Sequence, residues 1–125
     1  MHVLRNMVSA VTPGGLVLDL QVIRPNPRVE AGGRVICEIE GERLFATADA
    51  AAAGVNSFVA DGRLVEDAVD DHDVLRHYED GPDLIDDFAD DEEQRIPDDA
   101  IDRVRALIEP CIVRERCRLR LLRVA

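Results

Sequence analysis

The 125 residues carry 26 Asp and Glu against 15 Lys and Arg, a formal net charge of −11 that works against binding a nucleic-acid backbone or an anionic lipid surface. A hydrophobic fraction of 46% with 3% aromatics describes one globular domain whose core is built from Leu, Val, Ile and Ala. No apolar run reaches membrane-spanning length, and the N-terminus reads as an amphipathic helix rather than a signal peptide, so the expected location is cytoplasmic.

Val3, Leu4, Met7, Val8 and Val11 form one apolar stripe at the helical period, which predicts a short first helix. Pro13 disfavours helix at Thr12 and Gly14 can take the positive φ of a C-cap, so the helix stops there. Leu16 to Ile23 then reads as a strand. Leu16, Leu18, Leu20 and Val22 line one face, and Val17, Asp19, Gln21 and Ile23 the other. A strand apolar on one face and at both ends of the other is expected to be covered on both sides.

Arg24-Pro25-Asn26-Pro27 is a rigid loop. Arg28-Val29-Glu30 and Arg34 to Glu40, joined through Ala31-Gly32-Gly33, predict a β-hairpin in which Val35, Cys37 and Ile39 point inward. This hairpin is expected as an insertion covering one side of the sheet. Thr47 is the expected N-cap of a helix running to Ala60 and ended by Asp61-Gly62. Leu64 to Glu79 is extended, most clearly from Asp73 to Tyr78. A helix follows from Asp83 through Leu84, Ile85 and Phe88, and another after Pro97 turns Ile101, Val104, Leu107 and Ile108 inward. Ile112 to Val124 is the last strand, with Cys117, Leu119 and Leu121 on one face and Arg116, Arg118 and Arg120 on the other. The three cysteines, odd in number and without CxxC spacing, read as reduced, buried thiols and not as a zinc site.

The first helix, the Pro13-Gly14-Gly15 turn and the strand Leu16–Ile23 together resemble the last conserved segment of class I S-adenosylmethionine-dependent methyltransferases, where such a turn leads into the fifth sheet strand. The resemblance implies an α/β (α+β-like) fold. It is a small mixed sheet of about three core strands, with flanking helices and the hairpin inserted, like the C-terminal half of that family's domain. It also implies that the last strand lies between the first strand and Asp73–Tyr78. The family's cofactor turn and the acidic residue after its second strand have no counterpart in this register. The resemblance therefore implies a non-catalytic half-domain with no cofactor, acting through self-association or a protein partner.

In the complete fold a fourth strand pairs with the fifth. Its absence leaves an apolar edge on Leu16–Ile23, and a homodimer through that edge is the expected cover. A second expectation, from a different class, is a small-molecule binding protein or enzyme with its pocket at the dimer seam. A third is a subunit of a split methyltransferase.

Candidate ligand-binding residues are Asp19, Gln21 and Arg24, because ligands of open α/β sheets bind beyond the carboxyl ends of strands. The simpler account pairs Asp19 with an arginine of the last strand. Asp70-Asp71-His72-Asp73 and His77 offer metal-ligand chemistry, but strand geometry divides them between two faces and the spacing matches neither an HExxH helix nor a calcium loop, so no metal site is assigned. The Arg116, Arg118 and Arg120 stripe is expected to pair across strands with Asp71 and Asp73. Ser9 and Ser57 have no recognisable base, and no catalytic triad is assigned.

Overall fold

The last strand, β5 (Cys111–Val124), is the axis of the molecule. A computed structural model describes residues 2–125, with side chains from residue 4 onward; Val3 of the expected apolar stripe lies outside the described side chains. One edge of β5 is occupied along its length by β4 (Leu64–Tyr78), from Leu64 opposite Val124 to Tyr78 opposite Cys111. The other edge is shared end to end by two shorter strands. β1 (Leu16–Val22) runs opposite Arg123 to Cys117, and β2 (Arg28–Ala31) opposite Arg114 to Cys111. β3 (Arg34–Glu38) folds back onto β2 through Gly32 and Gly33, both at positive φ, which the tight turn requires.

The expected order of the three core strands, β1, β5, β4, is the one observed. The sheet is not mixed, however. Among the described residues it has five strands, and every pairing between them is antiparallel. Nor does the hairpin lie over the sheet. β2 bonds to β5 in the plane, because the loop after β1 returns the chain to the same edge. A bulge between Val29 and Glu30 shifts the β2–β3 register, leaving Cys37 and Ile39 buried and Val35 turned outward.

A 14-residue strand rises through roughly 46 Å, too long for one layer of short helices to cover. The molecule therefore has two cores, on opposite faces and at opposite ends of the β4–β5 ribbon. At the Val124 end, α1 (His2–Ala10) and α2 (Glu42–Ala60) cover Val17, Leu64, Leu122 and Val124 with Leu4, Val55 and Phe58. At the Cys111 end, α3 (Gly81–Phe88) and α4 (Ile101–Arg105) cover Val29, Cys111 and Val113 with Leu84, Phe88 and Val104. Leu122 and Val124 differ in strand parity from Cys111 and Val113, which places the two cores on opposite faces.

Three helix expectations are corrected by this packing. α2 begins at Glu42 rather than after Thr47, because the Gly41 carbonyl accepts from Phe45 N–H and Phe45 is buried. Thr47 instead donates from Oγ1 to the Arg43 carbonyl within the helix. α4 ends at Arg105, and Ile108, expected to face inward, is 95% exposed. α3 starts two residues earlier than expected, with the Asp80 carboxylate accepting from Asp83 N–H at 2.9 Å and Pro82 in the first turn.

Candidate functional site

β1 is where the molecule is least finished. Ile23 N–H donates to the Arg116 carbonyl and Val124 N–H to the Gly15 carbonyl, so the odd-numbered residues of this segment bond inward to β5. Antiparallel ladders alternate. The backbone groups of Leu16, Leu18, Leu20 and Val22 therefore point away from β5, and among the described residues no strand pairs with them.

The same leucines are exposed on their side chains as well. Leu16, Leu18 and Leu20 are 59, 63 and 55% exposed. This corrects the expectation that β1 is covered on both sides. α1 and α2 lie on the Val17 face, α3 and α4 lie at the other end of the ribbon, and nothing among the described residues covers the leucine face here. Leu119 and Leu121 stand opposite Leu20 and Leu18 and continue the apolar surface across the sheet, as Val65 does on β4.

Asp19 and Gln21 sit on the other face, beneath α2. They line a cavity of about 370 Å³ with Asn56, Glu66, Arg118 and Arg120. Asp19 accepts from Gln21 Nε2 at 3.0 Å. It stands opposite Arg120, as the simpler account required, but does not hold that arginine: Arg120 is buried and donates to Glu66 at 2.6 Å. Arg118 is taken by Asp71 through two hydrogen bonds, at 2.8 and 3.0 Å. Arg24, the third candidate, is drawn to Asp49 of α2 at 3.1 and 3.2 Å, and Arg24 holds the Asp49 carboxyl below its usual range. Both arginines lining the cavity are thus already paired. What remains for a guest is the amide chemistry of Gln21 and Asn56 and the acceptor capacity of Asp19, which suit a small polar molecule.

The acidic cluster of β4 is a set of ion-pair partners. Asp73 accepts from both Arg114 and Arg116 at 3.1 Å, Arg114 also reaches Glu30 at 2.8 Å, and Asp70 lies 3.0 Å from His72 Nδ1 on the opposite face. Hydrogen bonds from Arg118 to Asp71, from Arg116 and Arg114 to Asp73, and from Arg114 to Glu30 hold all three carboxyls below their ordinary values. Among the described residues no group of three metal-ligating side chains converges.

A second, larger cleft of about 760 Å³ lies between the start of α2 and the segment after α3. Glu40 and Arg95 close one side of it through a two-residue bridge and a 3.1 Å ion pair. Gln94 lines it, is 8% exposed, and has its Oε1 buried with no partner among the described residues. Sequence reading missed this cleft, because Glu40 and Arg95 are 55 positions apart and no local pattern joins them.

Cys37, Cys111 and Cys117 are buried free thiols, and burial raises each of their pKa values. That opposes the thiolate a nucleophile needs. Burial, then the hydrogen bond to Asp87, pushes the Tyr78 phenol up as well. No helix among the described residues is long and apolar enough to cross a membrane. Comparison of the chain with family models, with curated proteins and with solved structures gave no match.

Proposed function

We propose that this chain is a methyltransferase-like half-domain that acts by association with itself or with a protein partner, and not by methyl transfer. The observation that carries the association is Leu16, Leu18 and Leu20, more than half exposed on a strand whose outer backbone edge no strand among the described residues pairs with. An apolar strand edge of this kind is a template for strand addition. The strand order β1, β5, β4, with β5 antiparallel to both neighbours, and the Pro13-Gly14-Gly15 turn into β1 support the family reading. Native mass spectrometry at low micromolar concentration tests the function. A complex is expected, and a bare monomer overturns it.

A second reading, small-molecule binding at Asp19 and Gln21 with Arg24 steadying the rim through Asp49, is favoured by the 370 Å³ cavity beside β1. A retained metabolite mass in the same spectrum, lost in Asp19→Ala, would move the assignment there. In the split-methyltransferase reading the same edge receives the half that carries the cofactor site. Co-expression with such a polypeptide would then give a heterodimer.

A further inference from the structure

We infer that β1 pairs antiparallel with β1 of a second copy about a two-fold axis at Leu20, so that Asp19 of each chain faces Gln21 of the other. This inference rests on the reading of β1 as an association edge and specifies what occupies it.

The backbone groups available at the edge belong to Leu16, Leu18, Leu20 and Val22, so only registers that set even residues against even residues form hydrogen bonds. Three symmetric registers keep most of the strand paired. An axis at Asp19 gives the longest overlap but sets Asp19 against its own copy in a non-hydrogen-bonded pair, where side chains approach most closely and like charges repel. An axis at Leu18 sets Asp19 against Val17, whose side chain is buried under the helices and offers the carboxylate no donor.

An axis at Leu20 sets Asp19 against Gln21 twice. Each Gln21 Nε2 has two hydrogens, one already given to Asp19 of its own chain, leaving the second for the partner's carboxylate. Leu18 then meets Val22 and Leu20 meets Leu20 on the exposed face. About Leu20 the segment Leu18-Asp19-Leu20-Gln21-Val22 is complementary to itself: apolar to apolar, acceptor to donor. That self-complementarity is why a second copy fits, and why the net charge of −11 does not forbid it: the one carboxylate each strand brings to the seam meets an amide.

The test is disulfide trapping with single added cysteines, Leu20→Cys and Leu18→Cys at exposed positions and Asp19→Cys at a half-buried one, oxidised at low micromolar concentration. The native thiols are buried and supply the background control. Leu20→Cys is expected to give the covalent dimer, because residues directly opposite are about 5.5 Å apart at Cα and within disulfide reach. Leu18→Cys should not, its copies being offset by four residues or roughly 13 Å. Trapping through Asp19→Cys or Leu18→Cys in place of Leu20→Cys overturns the register while leaving association through β1 standing. A monomer in sedimentation of the unaltered chain overturns both. A second measurement is independent of trapping. Gln21→Glu should weaken the dimer about tenfold with circular dichroism unchanged, and Asp19→Asn in the same chain should restore it. No loss in Gln21→Glu overturns the Asp19–Gln21 pairing.

Discussion

Gly81 lies against the backbone carbonyl of Val104, and its own N–H donates to the Leu107 carbonyl at 2.9 Å. This is a close backbone approach between α3 and α4 at the Cys111 end of the sheet. A Cβ at position 81 would overlap the Val104 carbonyl and would lie 3.2 Å from Leu107 Cβ. Gly81→Ala is therefore expected to cost about 3 kcal/mol, the upper end of overpacking penalties, since backbone cannot turn aside as a side chain can. Urea denaturation with an unchanged midpoint would refute this.

The two cores share β4 and β5, so damage to either should be felt by the whole domain. Leu84 and Leu122, one from each core, are both fully buried. Leu84→Ala and Leu122→Ala should each cost about 2–5 kcal/mol and each keep a single unfolding transition. By contrast, Leu18→Ser on the exposed face should change monomer stability by no more than about 0.5 kcal/mol. Separate transitions in either alanine variant would show that the cores unfold independently.

Acid should loosen the ribbon. Asp71 and Asp73, with an ordinary value of 3.8, and Glu30, with one of 4.5, are all held lower in the folded chain by Arg118, by Arg116 and Arg114, and by Arg114. An acid whose folded pKa is depressed contributes stability above its unfolded value and loses it as pH falls through the folded one. Unfolding free energy should therefore hold level down to about pH 4.5 and decline below it. Arg114→Gln, which touches Glu30 and Asp73 together, should make that decline shallower; an unchanged slope would disprove the assignment.

Alkali acts on the buried thiols. Cys37, Cys111 and Cys117 have folded pKa values above the ordinary 9.0, so the folded chain keeps them neutral while the unfolded chain releases protons. Their contribution is complete below pH 9.0 and is lost as pH rises from there through the folded values. Stability should fall above pH 9.0, and in the native state at neutral pH all three thiols should react slowly with an aromatic disulfide reagent. Rapid reaction of any one would contradict its burial.

Gln94 carries a cost that can be removed. Its Oε1 is buried beside the larger cleft and accepts from no described residue, while its backbone N–H is separately satisfied by Asp91 at 3.0 Å. Gln94→Met keeps the unbranched shape, removes the unmet acceptor and should raise stability by about 1 kcal/mol. A destabilised variant would mean that a water or a guest meets the amide in solution.

Much of the fold was legible because it depends on local rules. Gly14 took the positive φ expected of it, but in the turn over residues 12–15 and not as a cap on α1, which already ends at Ala10; Gly32 and Gly33 made the hairpin turn, and Asp61-Gly62 closed α2. Strand parity separated Asp71 and Asp73 from Asp70 and His72, and it put Arg116 and Arg118 where those two carboxylates could meet them. Of the candidate ligand residues, Asp19 and Gln21 do line a cavity. Arg24 was claimed by Asp49, a residue 25 positions away whose nearness only the placement of α2 decides.

Alternation along β1 and β5 determined which residues share a face, and turn chemistry determined where strands end. Neither determined which face is covered. Leu16, Leu18 and Leu20 have the pattern of a buried row, yet they are exposed because the β4–β5 ribbon outruns its helices, and the two helix pairs settled on opposite faces at opposite ends. Hydrophobic period is a property of the chain. Coverage depends on where other elements pack, and that is fixed only when the long strands pair.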